Sequence, residues 1–273
     1  MSEYVHFLSL CLQISDLNQY YSLHLTQKIM KHNLKSMLNF YSLKLNYLFF
    51  VCGFIALCLT SCSKEDSVDV NQDKIWTEYN VYYNQNDDKT HVIARFRFGN
   101  PTGTLLELVD STGANVTFNG QKMPYSLIWN AHHLEFAGNI TTGTFVYTNT
   151  DGKVFTNTIP TGIDSIEFPN DFDTIVKSKA ETFSWVGSAL SANQSVGMYI
   201  GTYAWDKSAL FYTNATGTST LVMGVQAKTN LPIGPGNVYL QRQVENKTIA
   251  GTSKGGVISY TYRPFDKTIE ITE

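Results

Sequence analysis

From Ile75 to the C-terminus apolar residues recur at every second position, and a period of two marks a strand with one buried face rather than an amphipathic helix. In Ile75-Trp76-Thr77-Glu78-Tyr79-Asn80-Val81-Tyr82-Tyr83 the odd positions are mostly apolar or aromatic. A turn-rich segment, Asn84 to Lys89, follows. Val92, Ala94, Phe96 and Phe98 then share one face, with Arg95 and Arg97 on the other, so the pair reads as a hairpin with a dry and a wet side. Further strands are expected at 105–109, 115–118, 127–129, 134–136, 144–148 and 154–158. Asn119-Gly120, Gly138-Asn139 and Asp151-Gly152 punctuate them, the last as a two-residue hairpin cue. Beyond Pro160-Thr161-Gly162 the same pattern predicts strands at 163–168, 181–186, 196–200, 209–213, 220–227, 237–244, 256–262 and 268–272.

Short strands with turns every 8–12 residues predict an all-β fold of one or two antiparallel immunoglobulin-like sandwiches. Two are expected, a first domain at 75–160 and a second at 161–273, with a single larger sandwich as the alternative. The cysteines sharpen this picture. All four (Cys11, Cys52, Cys58 and Cys62) lie before the strand-rich part, which therefore has no disulfide framework and no thiolate metal site. Its stability must come from its core.

Upstream, Leu45 to Thr60 reads LNYLFFVCGFIALCLT, an apolar run preceded by Lys31, Lys35 and Lys44. A positive stretch, a short apolar stretch and small residues before a cut make a secretory signal. The run is short for a membrane span, which takes about 20 residues. At its end Leu59-Thr60-Ser61-Cys62 resembles the lipobox of bacterial lipoproteins. The resemblance implies cleavage before Cys62, diacylglycerol on its thiol and a further acyl chain, such as palmitate, on its new amino group. Two or three acyl chains hold a protein on a membrane firmly where one holds it marginally. The next residues, Ser63-Lys64-Glu65-Asp66, are similar to the surface-export signal of Bacteroidota lipoproteins, which implies an outer-membrane protein facing the cell exterior. On this plan residues 37–61 are the signal peptide and 62–74 a lipidated tether, flexible from Ser67 to Lys74. Residues 1–36 are read as an irregular, over-extended start, with Met30 or Met37 as initiator and a genuine long n-region as the alternative.

Roughly 210 residues remain after Cys62, within the range of one or two domains. They carry 16 Lys/Arg against 21 Asp/Glu, a net charge of −5, which argues against nucleic acid as a partner. No cofactor or metal is expected. Adjacent His132 and His133 would point to opposite faces of a strand, so they cannot share one ion, and both read as solvent-side or turn residues with His91. Asp87-Asp88 and Asp171-Phe172-Asp173 read as acidic turns rather than calcium loops. Glu107, Glu135, Glu167 and Glu181 sit in or near strands without a motif that pairs two of them for glycoside hydrolysis. Ser184 and Ser188 lack a nucleophile elbow.

The aromatic residues are the better lead, because exposed rings stack on sugars or anchor partners. Among Trp129, Tyr199, Tyr203, Trp205, Tyr239, Tyr260 and Tyr262, the loop-borne Tyr203 and Trp205 are the expected ligand pair. Four Asp-Ser/Thr-apolar triplets place acceptor hydroxyls at Ser67, Ser111, Ser165 and Thr174. They are similar to O-glycosylation sites of Bacteroidota envelope proteins, with Ser67 in the tether the first expectation. The sequence thus reads as a non-catalytic surface lipoprotein that reaches the membrane through its lipid and binds a glycan or an envelope protein. The alternatives are a carbohydrate-binding accessory of a glycan-uptake system and, behind it, an envelope hydrolase.

Overall fold

Up to residue 160 the chain runs through β1 (Glu65–Asp66), β2 (Ile75–Asn84), β3 (Lys89–Phe98), β4 (Leu105–Glu107), β5 (Asn115–Phe118), β6 (Gln121–Lys122), β7 (Tyr125–Ser126), β8 (Ala131–Ala137), β9 (Thr144–Thr148) and β10 (Val154–Thr158). It continues through β11 (Thr174–Val176), β12 (Glu181–Ser184), β13 (Gln194–Gly201), β14 (Ser208–Thr213), β15 (Thr220–Met223), a one-turn helix α1 (Val225–Lys228), β16 (Gly234–Asn246), β17 (Gly256–Arg263) and β18 (Lys267–Thr272). The structure, a computed structural model, describes residues 65–162, 164–201, 207–247 and 249–273. The fold is an all-β, sandwich-type arrangement.

One long sheet organises the described residues, in the order β1-β4-β3-β2-β17-β16-β13-β14, with β8 and β7 added beside β3 and β18 and β11 beside β16. Most neighbours are antiparallel. The seam between the two halves is parallel, running from Gly256↔Thr77 to Arg263↔Asn84 between β17 and β2. On one face, strands β10-β9-β5-β6 form a four-stranded sheet over β2, β3 and β17, and the ribbon β12-β15 contributes to a second core against β13 and β16.

β2 shows why this layering forms. Buried and half-buried positions alternate along its whole length, so Ile75, Tyr79, Val81 and Tyr83 face the four-stranded sheet while Trp76, Glu78, Asn80 and Tyr82 face away. The first core is aromatic. Tyr79 meets Phe145 at 4.7 Å between centroids, Phe96 meets Tyr147 at 4.6 Å, and Phe118 meets Phe145 at 4.9 Å. Each such pair adds about 0.5–1.5 kcal/mol beyond its buried area, which matters where no disulfide contributes.

The second core gathers Ile166, Phe183, Trp185, Met198, Phe211, Leu221, Leu240 and Ile271. Two buried cations fix the irregular segments around it. Lys228 of α1 donates to the Val176 and Lys179 carbonyls, each at 2.6 Å, and to Glu181 Oε2 at 2.8 Å. Arg242 of β16 donates to the Ser188 and Ala189 carbonyls at 3.0 and 3.1 Å and to Gln194 Oε1 at 2.6 Å. A buried charge is tolerable when most of its donors are filled in this way; Arg242 Nε is buried without a partner.

The long sheet runs unbroken through both cores, and the first core draws on residues from both sides of position 160. Val244, Ile258, Tyr260 and Tyr262, all late in the sequence, belong to the first core. Elsewhere the structure departs from the expected elements in ways with local causes. Residues 127–129 are the turn between β7 and β8 rather than a strand. In the 163–168 stretch the described residues form only a bridge, Glu167 to Val186. The 220–227 strand stops at Met223, where Gly224 becomes the N-cap of α1. β11 lies just after the Asp171-Phe172-Asp173 turn, pairing in parallel with β18. Asn119-Gly120 makes a tight hairpin turn with both residues at positive φ (48° and 80°), whereas Asp151-Gly152 belongs to a longer turn. In that turn Asn149 Oδ1 accepts from the Asp151 and Lys153 amides at 3.1 and 2.8 Å.

The expected flexible tether from Ser67 to Lys74 is instead attached to the fold. β1 pairs with β4, Ser67 is fully buried, and Gln72 Nε2 donates to the Ser67 carbonyl at 2.6 Å. The reason is a buried polar anchor that alternation does not mark.

Candidate functional site

The face of the long sheet opposite the two cores carries a row of flat side chains that crosses six strands or their flanking turns. Strand register puts Tyr82 opposite His91 and His91 opposite Glu135, so their side chains stand on one surface. Trp129, in the turn before β8, stacks on His133 at 4.7 Å and lies 4.8 Å from His91. His91 stacks on Tyr82 at 6.1 Å, and the Tyr82 hydroxyl accepts from Arg263 Nη1 at 3.3 Å. The Arg263 guanidinium lies over the Tyr239 ring at 4.4 Å, and Tyr239 stacks on Tyr199 at 5.8 Å.

At the Tyr199 end the row opens into a groove of about 410 Å³, lined by Tyr199, Tyr239, Gly197, Leu210, Gln241 and Arg263. This is within the roughly 300–1,000 Å³ typical of small-ligand sites. Gly197 makes the opening. It lies in mid-strand on β13, where its missing side chain leaves a gap between Gln241 and Tyr212, its register partners. A methyl group at that Cα would meet nothing closer than Gln241 Nε2 at 3.6 Å, so the gap is space and not strain. A glycine inside a strand often marks close approach by a ligand or another backbone.

Arg263 is held by two hydrogen bonds to Asp266, Nε to Oδ1 at 3.0 Å and Nη2 to Oδ2 at 2.7 Å. Burial works against its charge, but the bonds to Asp266 and Tyr82 outweigh it and keep the guanidinium above the ordinary arginine range. The cation therefore acts as a rigid support under Tyr239 rather than as a mobile charge.

The histidines part company across the sheet, as adjacent strand residues must. His132 turns inward, and Leu108 N–H donates to its Nε2 at 3.2 Å while Nδ1 lies 2.9 Å from the Met123 carbonyl. These two bonds need a neutral ring protonated at Nδ1, and burial pulls the group below its ordinary pKa. His133 turns outward, with Nε2 3.1 Å from His91 Nδ1. Partial burial and the neighbouring His91 lower its pKa. Glu135 beside them is held below the usual carboxylate range by Lys89 at 2.6 Å. The expectation of solvent-side or turn histidines is corrected here: His132 and His91 are buried in strands and His133 is half-buried. Among the described residues no group of three His, Cys, Asp or Glu is placed to hold a metal ion.

The sequence-predicted site residues fare unequally. Cys62, the lipobox residues Leu59, Thr60 and Ser61, and Ser63 and Lys64 lie outside the described residues, as do Tyr203 and Trp205. Glu65 and Asp66 form β1 and are exposed. Of the acceptor hydroxyls, Ser111, Ser165 and Thr174 are exposed, but Ser67 is fully buried, which corrects its place as first expectation because a transferase cannot reach it in the folded chain. Of the surveyed aromatics, Tyr260 and Tyr262 are core residues, while Trp129, Tyr199 and Tyr239 form the outer row. Glu181 and Glu135 are each engaged by a lysine, Lys228 and Lys89.

Sequence reasoning missed Tyr82, His91, Arg263 and Gly197 as parts of this face. Gly197 had a readable signal, a glycine at an outward-facing position inside Val196-Gly197-Met198-Tyr199-Ile200, although its neighbours leave it buried. No protein-family model matches the chain, and no curated protein is significantly similar to it.

Proposed function

We propose that the chain is an exported, non-catalytic binding protein, anchored through lipid on Cys62 in the outer membrane, with the aromatic face of its long sheet as a glycan-binding surface. The observation that carries the reading is the groove at Gly197, where two tyrosine rings, a glycine floor and an amide side chain converge. Tyrosine faces take the C–H faces of sugar rings, and Gln241 supplies both a donor and an acceptor for hydroxyls. Arg263, clamped by Asp266, holds Tyr239 in place before any ligand arrives, so less conformational freedom is lost on binding. The anchor and the surface location rest on the Leu59–Cys62 and Ser63–Asp66 motifs. Among the described residues no helix is long and apolar enough to cross a membrane.

The test is binding of the detergent-solubilised full chain to an array of microbial and plant polysaccharides, with Tyr239→Ala as the comparison. Retention on at least one polysaccharide, reduced about tenfold or more by the substitution, is expected. Equal binding by both proteins would remove the groove from the proposal. Mass spectrometry of the processed amino terminus tests the anchor, with an acylated Cys62 expected and an unmodified residue or another start refuting it.

A further inference from the structure

Beside the Tyr199–Tyr239 groove lies a second one of about 430 Å³, whose lining includes Asn193, Ser195, Tyr212, Asn214, Gln243 and Asn246. The two are neighbours. Gly197 and Ser195 are alternate residues on one face of β13, and Tyr212, the register partner of Gly197, lines the second groove. Tyr199 and Ser195 are four strand positions apart, roughly 14 Å at about 3.4 Å per residue, and the second groove reaches past Ser195 to Asn193. That is longer than one sugar ring.

Taking that face as a glycan site, we infer that it binds an extended, uncharged oligosaccharide laid along β13, with one end on the Tyr199–Tyr239 rings and the other among the amides and hydroxyls around Ser195 and Gln243. The chemistry of the lining separates the two ends. The first groove offers ring faces and Leu210; the second offers mainly amides and hydroxyls, each able to donate and accept, which is what vicinal sugar hydroxyls require.

The charges decide the class of sugar. The charged residues that line the two grooves are Arg263, Glu245 and Lys247. Arg263 has its fork filled by Asp266, and Lys247 Nζ lies 3.4 Å from Glu245 Oε1. A uronate or sulfate arriving here would lose water and meet no net positive charge, since the exposed Lys247 stands beside Glu245 and Arg263 beside Asp266, on a protein of net negative charge. An uncharged chain loses nothing of the kind.

The experiment is calorimetry on the detergent-solubilised full chain. The probes are glucan, mannan and xylan oligosaccharides of one to six units, and the same ladders with uronic acids in place of neutral units. Affinity for one neutral ladder should rise at least tenfold from the disaccharide to the tetrasaccharide, and its acidic counterpart should bind at least tenfold more weakly. Gln243→Ala should lower affinity for the longer oligosaccharides and leave the disaccharide unchanged. Gly197→Trp, which fills the junction, should remove binding of the long ones. Thermal melts of both variants establish that they fold. If the acidic ladder binds as well or better, or affinity does not grow with length, this inference is overturned while the glycan reading stands. If no ladder binds, both fall together.

Discussion

Replacing His132 with leucine tests how the irregular segments are tied to the sheet. The ring is 4 % exposed and stands edge-on to Phe96 and Tyr125, at 5.8 and 5.4 Å between centroids. Leucine keeps much of that apolar contact and removes both hydrogen bonds, leaving the Leu108 amide and the Met123 carbonyl without their imidazole partner. Orphaning a buried backbone group costs about 1–3 kcal/mol, so His132→Leu should destabilise by about 2–4 kcal/mol. With a urea m-value of about 2–3 kcal/mol/M, the midpoint should fall by roughly 1 M.

Acid provides an internal check. Burial lowers the His132 pKa in the folded chain, so the unfolded state binds the proton more readily. The contribution is therefore complete above the ordinary histidine value and is lost as pH falls through the lower folded one. Protonated Nε2 would also present a donor to the Leu108 amide, donor against donor. The stability gap between wild type and His132→Leu should accordingly shrink as pH is lowered from 7 toward 5, a difference in which groups common to both proteins cancel. A loss below about 0.5 kcal/mol at pH 7, smaller than one orphaned group should cost, would refute the argument, and so would a gap that stays constant with pH.

Other outcomes follow from the same structure. Lys228→Met should cost about 3–5 kcal/mol, the usual penalty for breaking a buried pair, and lower the melting temperature by several degrees, because two carbonyls and Glu181 lose their donor at once. Gly197→Ala should leave the melting temperature within about a degree of wild type, since its Cβ meets nothing closer than 3.6 Å; a large drop would mean that the groove floor is packed rather than open. Glycopeptide mapping of protein from native cells should place any O-glycan on Ser111, Ser165 or Thr174, with Ser67 unmodified because it is buried. Cys62→Ser should release the chain from membranes while leaving its urea midpoint unchanged, as measured by fractionation and by unfolding.

Strand existence was a local property and was legible locally. Thr144–Thr148 and Val154–Thr158 occur at the expected bounds because alternation and flanking turns act within a few residues. The tight Asn119-Gly120 turn was legible for the same reason, since both residues tolerate positive φ. The confinement of all four cysteines to the first 62 positions excluded disulfides from the sheet without any structure. The single turn of α1 was not legible, because four residues carry too short a pattern to be told from a strand end.

What only tertiary structure decided is which strands became neighbours. Backbone ladders are made by groups that every residue type except proline carries, so alternation assigns a face but never a partner. β17 lies beside β2 although the residues paired across them, Gly256 and Thr77, are far apart in the chain. That choice brings Arg263 to Tyr82 and Tyr239, and it turns scattered wet-face residues into one row. Lys228 and Arg242 are buried only because the fold surrounds them with carbonyls. Gly197 becomes a groove floor only because Tyr212 and Gln241 stand on either side of it, and those contacts exist only between strands that the whole core brought together.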